Sequence, residues 1–221
     1  MKAKSNKAVW ITVAAVVVIA AVIRLYNNQN TSDDVLFTDF IRSLLHIGLI
    51  TAWGFSIYQR VVQKQARHYL CCIAVLMILW LNFKVMKYYI CTDVNVSRYL
   101  WYLYYLPLVG IPLYTLFASL FIGKTEDYKL KWQVKLLYIP AILLFLMVMT
   151  NDLHKFAFSF PQHDFSPDNY QHGIGYFMVF GLFALCTFAS FYVMYSGGKI
   201  KRKPRAFAPL IVALVLTVYY I

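Results

Sequence analysis

Long, almost uninterrupted apolar runs recur along this 221-residue chain, with short polar or basic stretches between them. The hydrocarbon layer of a membrane is about 30 Å thick, and a helix needs about 20 apolar residues to cross it. A membrane β-barrel would instead show segments of about 10 residues that alternate between apolar and polar. Apolar residues make up 61% and charged residues 14% of the chain, against roughly half and a quarter in soluble domains. The sequence therefore predicts an all-α, multi-pass transmembrane helical bundle.

Seven spans are predicted from these runs, and the last is short for a complete crossing. They cover residues 8–26, 40–61, 69–90, 99–122, 136–150, 174–196 and 207–221. The first run could alternatively be a secretory signal, because basic residues precede it. Its apolar core is longer than that of most signals, which favours an uncleaved helix.

Lys and Arg are concentrated in alternate gaps: before the first span and after the second, fourth and sixth. Because cytoplasmic gaps retain an excess of positive charge, we expect these gaps and the amino terminus to be cytoplasmic, in a bacterial cytoplasmic (inner) membrane. The net charge of +12 then reflects topology, and no nucleic-acid partner is predicted. Seven crossings from a cytoplasmic amino terminus leave the carboxyl end outside. A cytoplasmic output domain would need one more crossing, so we expect the chain to be incomplete at its carboxyl end.

A polar junction follows the fifth predicted span. Asn151, Asp152 and His154 open an aromatic and acidic segment that continues to Tyr176 on the predicted outer side. Helix-to-helix connections commonly need only about 2 to 8 residues, so this segment has a purpose beyond reversing the chain. The junction is the strongest functional indication in the sequence.

Three histidines of this segment raise the question of a metal. His154, His163 and His172, with Asp164, could bind zinc or copper, but their spacing matches no local metal motif. Flexible-loop residues are the better interpretation, and no metal or other cofactor is predicted. Protonation of a histidine is a further possible signal, because histidine titrates near neutral pH.

Charged side chains within the spans lie near their outer ends: Arg42, His46, Lys84 and Lys87. Such groups are costly in a membrane unless they reach the interface, pair or line a cavity. Snorkelling to the interface explains them. The alternative is an outward-facing polar pocket in which Arg42 or Lys84 neutralises Asp152. The middle of each span lacks charge, which argues against a conducting channel or pump.

The same outer level is rich in aromatic residues. They are Tyr88, Tyr89, Tyr99, Trp101, Tyr102, Tyr104 and Tyr105. An interfacial aromatic belt explains part of this group, but its members occupy every face of a helix, so some point into the bundle. Buried tyrosine hydroxyls need partners, which Asp152, His154 or a ligand could supply. Core packing is the competing interpretation.

Prolines interrupt two of the predicted spans. Pro107 and Pro112 lie in the fourth and Pro140 in the fifth. Proline removes a backbone donor and bends a helix, so these positions are predicted to be helix-bending. A bent helix beside a polar outer cavity could convert ligand binding into displacement.

Catalytic motifs are not supported. Gly123, Lys124 and Thr125 match only the end of a phosphate loop and follow a membrane helix. Gly173 and Gly175 lack both the third glycine and the preceding strand of a dinucleotide fold. No enzymatic activity is predicted for this chain.

Two blocks of residues resemble a known family. The first comprises residues 98–107 with Ile111, Pro112, Gly123 and Lys124. The second comprises residues 137–140 and 150–154 with Phe158, Phe160, Pro161, Tyr170, Gly173, Gly175 and Tyr176. Together they are similar to the amino-terminal seven-transmembrane sensor region of bacterial histidine kinases and related Firmicute membrane proteins. The likeness covers 35–221, and it makes 1–34 an added cytoplasmic tail, extra transmembrane helix and outer loop.

The resemblance implies a sensory input domain that perceives an extracytoplasmic or membrane signal and passes it to a cytoplasmic output domain or partner protein. The expected partners are the lipid bilayer, a small signal or envelope ligand, that output and a second copy in a homodimer. The candidate signal-sensing outer layer comprises Asn151, Asp152, His154, Tyr170, Gly173, Gly175, Tyr176, Trp101, Tyr104, Tyr105, Arg42 and Lys84. A transporter and an envelope scaffold or assembly protein are the alternatives.

Overall fold

The computed structural model describes residues 34–125, 127–160 and 170–196. The helices in these ranges are α1 Asp34–Arg60, α2 Lys64–Val85, α3 Val94–Leu103, α4 Tyr105–Leu120, α5 Trp132–Lys135, α6 Tyr138–Met149, α7 Asn151–His154 and α8 Ile174–Ser196. A π-helical turn, Met86–Ile90, extends α2. Strands β1, Phe158–Ser159, and β2, Gln171–His172, form a small antiparallel pair.

Five helical stretches in the described residues are long and apolar enough to cross a membrane. They are Phe40–Arg60, Lys64–Ile90, Val94–Leu120, Trp132–Met149 and Ile174–Ser196. They correspond to the second to sixth predicted spans, which are thereby confirmed as helices. In this order they are the first to fifth described spans, and the third and fourth spans named below are Val94–Leu120 and Trp132–Met149. The first and seventh predicted spans fall on residues outside the described ranges.

Consecutive spans run in opposite directions, and two contacts fix which turns share an end. At one end, the Gln63 side-chain amide donates to the backbone carbonyl of Thr125 (3.1 Å), which joins the α1–α2 turn to the loop after α4. At the other end, Tyr102 of α3 donates to Asp152 of α7. We call the first the basic end, since both of its turns carry Lys and Arg, and the second the clasp end.

Helix α4 is the centre of the bundle. The apolar window of its span, Val94–Leu120, is 67% buried, against 17% for the two spans that follow. One side of α4 packs with α1 and α2 through Ile111 and Ala118, and the other packs with α6 and α8 through Leu108 and Phe117. A displacement of α4 therefore reaches both halves of the bundle.

Two prolines stand just after breaks in helical structure. The junction of α3 and α4 lies at Tyr104, three residues before Pro107, and the gap between α5 and α6 begins at Leu136, four residues before Pro140. Proline has no N–H for the carbonyl four residues earlier, which accounts for both breaks. Helix α4 continues through Pro112. Whether any of these positions moves during function stays a prediction.

Candidate functional site

Asn151 connects the end of the fourth span to the backbone of the outer segment. Its Oδ1 accepts from the N–H groups of Ala157 and Phe158, both at 2.9 Å, and its Nδ2 donates to the Phe158 carbonyl, also at 2.9 Å. Nδ2 also lies 3.3 Å from the Tyr102 hydroxyl. The side chain is 1% exposed, so nearly every hydrogen-bonding position of this amide is used inside the protein.

The local chain geometry brings the outer segment to Asn151. One helical turn, α7, follows α6 and ends at Lys155, which adopts a left-handed conformation with φ of 50°. The Lys155 N–H donates to the Asn151 carbonyl at 2.7 Å. The left-handed residue reverses the chain, at a cost of about 1 to 2 kcal/mol for a residue other than glycine. The next residues therefore run back toward the Asn151 side chain.

Asp152 joins the fourth span to the third. Its Oδ1 accepts from the Tyr102 hydroxyl at 2.7 Å, and its Oδ2 forms an ion pair with Nη2 of Arg98 at 3.0 Å. Arg98 and Tyr102 are four residues apart on α3, so both project from one helix face. The ion-pair partner is thus Arg98, a residue that the alternative of an outward-facing pocket with Arg42 or Lys84 did not include. We call Arg98, Tyr102, Asn151 and Asp152 the clasp.

The clasp is partly open to its surroundings. The side chains of Arg98 and Asp152 are each 25% exposed, whereas Tyr102 is completely buried. The carboxylate and guanidinium can therefore be reached by a proton, an ion or a polar ligand, while the tyrosine below them is packed in the core.

His154 lies beside the clasp and organises the start of the outer segment. Its Nδ1 accepts from the Phe156 N–H at 3.0 Å, and its Nε2 lies 3.3 Å from the Thr150 hydroxyl. Nδ1 thus holds the backbone of the residue that follows Lys155. Within the described ranges no three His, Cys, Asp or Glu side chains come together, and His163 and Asp164 lie outside those ranges.

Gly173 and Gly175 let the backbone before α8 pack against the backbone of Phe156 and Ala157. The Gly173 N–H donates to the Ala157 carbonyl at 2.9 Å, and the Gly175 N–H donates to the Phe156 carbonyl at 3.1 Å. A Cβ on Gly173 would collide with the Phe156 carbonyl oxygen, and one on Gly175 would lie 3.1 Å from the Ala157 Cα. Gly173 needs glycine because backbone meets backbone there, whereas a Cβ on Gly175 would first meet the Met147 Cε at 2.7 Å.

Phe158 fills the space beneath these hydrogen bonds. It is fully buried, with ring centroids 4.7 Å from Trp101, 5.4 Å from Tyr105, 5.8 Å from Tyr170 and 5.9 Å from Tyr176. Four of the predicted outer-layer aromatics thus surround one phenylalanine. The aromatic cluster joins α3, α4, the β pair and α8 directly below the clasp.

Three predicted residues lie elsewhere. The Tyr104 ring faces Lys87, whose Nζ is 5.8 Å from its centroid. Arg42 and Lys84 lie close enough to His46 to act on it electrostatically. Arg42 and Lys84 lie on α1 and α2 and Tyr104 lies at the junction of α3 and α4, and none of them takes part in the contacts of Asp152 described above.

The candidate sensing layer left out Arg98, Tyr102 and Phe158, although all three belong to the two sequence blocks that resemble the family. For Tyr102 the sequence offered a further signal, because Asp152 was a possible partner for a buried tyrosine hydroxyl. Arg98 stands four residues before Tyr102, and that spacing was its available signal.

A protein-family model described as the N-terminal 7TM region of histidine kinase matches residues 40–221. The chain belongs to this family. The resemblance inferred from the two sequence blocks is therefore confirmed, and the chain is a multi-pass inner-membrane protein of the histidine-kinase 7TM family, a family of signal-transducing sensor regions. No curated protein and no solved structure matches it.

The family assignment changes how the clasp is interpreted. The matched region of the 7TM family includes the clasp, its aromatic cluster and the five described spans. The Asn-Asp-x-His sequence and the two glycines of the sequence blocks come together in space as one hydrogen-bonded unit. In this chain the blocks thus have a common structural basis.

Proposed function

We propose that this chain is a sensory input domain that perceives an extracytoplasmic or membrane signal at the clasp end and relays it to a cytoplasmic output, a histidine kinase or similar module. The observation that carries the proposal is that two adjacent residues, Asn151 and Asp152, bind two different parts of the protein. Asp152 binds Arg98 and Tyr102 of the third span, while Asn151 binds the backbone of the outer segment.

The energies involved suit a switch. Polar side-chain bonds between membrane helices contribute about 0.6 kcal/mol each on average. A ligand needs only about 5.5 kcal/mol of differential affinity to move a two-state equilibrium from 1:99 to 99:1. The Arg98–Asp152 ion pair, the Tyr102–Asp152 bond and the Asn151–Tyr102 bond come to about 2 kcal/mol at this average, so a signal that replaces them supplies roughly a third of that difference. The partial exposure of both side chains gives such a signal access.

A physical route leads from the clasp to the opposite end. Arg98 and Tyr102 lie on α3, which continues through the break at Tyr104 into the central helix α4. Helix α4 ends at Leu120, beside the loop that is hydrogen-bonded to the α1–α2 turn. Release of α3 from α7 would therefore change the position of α4 relative to α2 and α8. The positive-inside rule supports a cytoplasmic basic end, where an output domain would receive the displacement.

The test joins residues 1–221, through one added transmembrane helix after Ile221, to the dimerisation and catalytic core of a histidine kinase, with a series of junctions one residue apart. Autophosphorylation is measured in membrane vesicles for the unchanged chain, for Asp152→Asn and for Asp93→Asn. Both substitutions remove one carboxylate charge at the clasp end. Asp93 only caps α3, through Asn95 and Val96, and asparagine caps equally well.

We expect Asp152→Asn to shift basal autophosphorylation severalfold at the junctions that are active, and Asp93→Asn to leave it unchanged. Equal activity of all three chains at every active junction would contradict the relay. Substrate uptake by vesicles containing the chain would favour a transporter. Loss of a co-purifying envelope protein in Asp152→Ala or His154→Ala, without any change in autophosphorylation, would favour a scaffold.

A further inference from the structure

The basic end presents a continuous cationic surface. The loop between α4 and α6 carries four exposed lysines: Lys124, Lys129, Lys131 and Lys135. The adjoining α1–α2 turn contributes Arg60 and Lys64, both exposed, and Arg67. In the sequence these seven basic residues are accompanied by two acidic ones, Glu126 and Asp127. The hydrogen bond from Gln63 to Thr125 holds the two turns side by side.

The loop is fixed to the bundle. Leu130 is buried, and the Tyr128 ring packs edge-on against Phe121 with centroids 5.5 Å apart. The Lys124 side chain packs over the Tyr128 ring, with its Nζ 5.4 Å from the ring centroid. The lysines therefore project from an anchored platform, and their arrangement is partly set before anything binds.

Trp132 stands among these lysines with 72% of its surface exposed. It is the first residue of both the short helix α5 and the fourth described span. Tryptophan at the end of a span is typical of the headgroup level, where its ring is apolar and its N–H remains polar. Lys129, Lys131 and Lys135 lie within three residues of it in the sequence, which would bring them close to the lipid phosphates.

We propose that this surface binds the headgroups of anionic phospholipids. A topological signal needs only positive charge in the gap. Here two basic turns are joined, anchored and combined with an exposed tryptophan at headgroup level. Charge complementarity and depth both point to anionic lipid of the adjacent leaflet, which attracts basic residues next to spans. The bound lipid would steady the end of α4 and the start of α6.

The test uses the full chain in bilayers of phosphatidylcholine with spin-labelled phosphatidylglycerol or spin-labelled phosphatidylcholine as probes. Electron paramagnetic resonance gives the association constant of the anionic probe relative to the zwitterionic one. The measurement compares the unchanged chain, the double variant Lys129→Gln with Lys131→Gln, and a matched control with arginine at both positions. Near-UV circular dichroism checks that all three have the same fold.

We expect a preference for the anionic probe in the unchanged chain. The glutamine variant should lose at least about twofold of it, since one lysine near an anionic surface is worth up to roughly fivefold in binding. The arginine control should retain the preference, and salt should weaken it. Equal preference in the glutamine variant would overturn the proposal, as would complete competition by inorganic phosphate at constant ionic strength, which would mark a site for free phosphate.

Discussion

Replacing Asn151 by alanine should release the outer segment from the fourth span. The substitution leaves three buried backbone groups without their partner: the N–H groups of Ala157 and Phe158 and the Phe158 carbonyl. Both residues are completely buried, so solvent can replace the amide only if the segment opens. The effect should therefore be local opening rather than a small general loss of stability.

The magnitude follows from these contacts. Each orphaned buried group costs about 1 to 3 kcal/mol, which gives about 3 kcal/mol as the lower limit for three groups. The smaller average of about 0.6 kcal/mol per bond in membrane helices gives about 2.4 kcal/mol for the four contacts of the Asn151 side chain. A loss near 3 kcal/mol corresponds to roughly a hundredfold change in an opening equilibrium.

Hydrogen exchange of the peptide that contains Ala157 and Phe158 measures this opening directly, in lipid nanodiscs. We expect exchange to rise roughly a hundredfold in Asn151→Ala. It should rise less in Asn151→Asp, which keeps an acceptor for the two N–H groups. Asn82→Ala is the matched control, because its amide donates only to Ile78 within α2. Equal exchange in Asn151→Ala and Asn82→Ala would refute the assigned role of the amide.

Three further outcomes are expected. Gly173→Ala should lower the stability in thermal unfolding by more than about 2 kcal/mol, because backbone must move; Gly181→Ala, whose Cβ would meet nothing within 4 Å, should gain up to about 1 kcal/mol. Tyr102→Phe should cost about 1 kcal/mol in chemical unfolding, because it removes a hydroxyl hydrogen bond but keeps the ring; an unchanged midpoint contradicts this. His154→Ala should speed exchange of the Phe156 amide, because it removes the ring nitrogen that accepts this N–H; unchanged exchange contradicts this.

The spans were predictable because the apolar length of a membrane helix is a local property of the sequence. The predicted span 174–196 and helix α8 have the same bounds. The second and third described spans begin five residues earlier than predicted, at Lys64 and Val94. The first turn of each of these helices is polar, so a hydropathy profile counts it as part of the connection between spans. In the structure this turn is helical. Hydropathy cannot separate those two cases.

The clasp was only half predictable. Asn151 and Asp152 stood out because they open an oversized polar segment. Asn151 binds mainly Ala157 and Phe158, six and seven residues later, whereas the partners of Asp152, Arg98 and Tyr102, are about 50 residues away. A buried tyrosine hydroxyl was a predictable partner for Asp152, but depth in the membrane does not say which side of the bundle a cation faces, so Arg98 was not distinguished.

The need for glycine at positions 173 and 175 was also not predictable from the sequence. Resemblance marked Gly173 and Gly175, but a single sequence gave no physical reason for them beyond flexibility. The reason is the approach of the Phe156 and Ala157 backbone, which exists only after Lys155 has reversed the chain. Such a requirement depends on two segments meeting and leaves no periodic pattern in either one.

The central claim is that the clasp sets the arrangement of helices at the basic end. Spin labels at Lys124, after α4, and Ser196, at the end of α8, report that arrangement once the four native cysteines are replaced by serine. Double electron–electron resonance in nanodiscs should give a shifted or broadened distance distribution for Asp152→Asn, and an unchanged one for Asp93→Asn. Identical distributions in Asp152→Asn and the unchanged chain, with the outer segment released according to hydrogen exchange, would contradict the account.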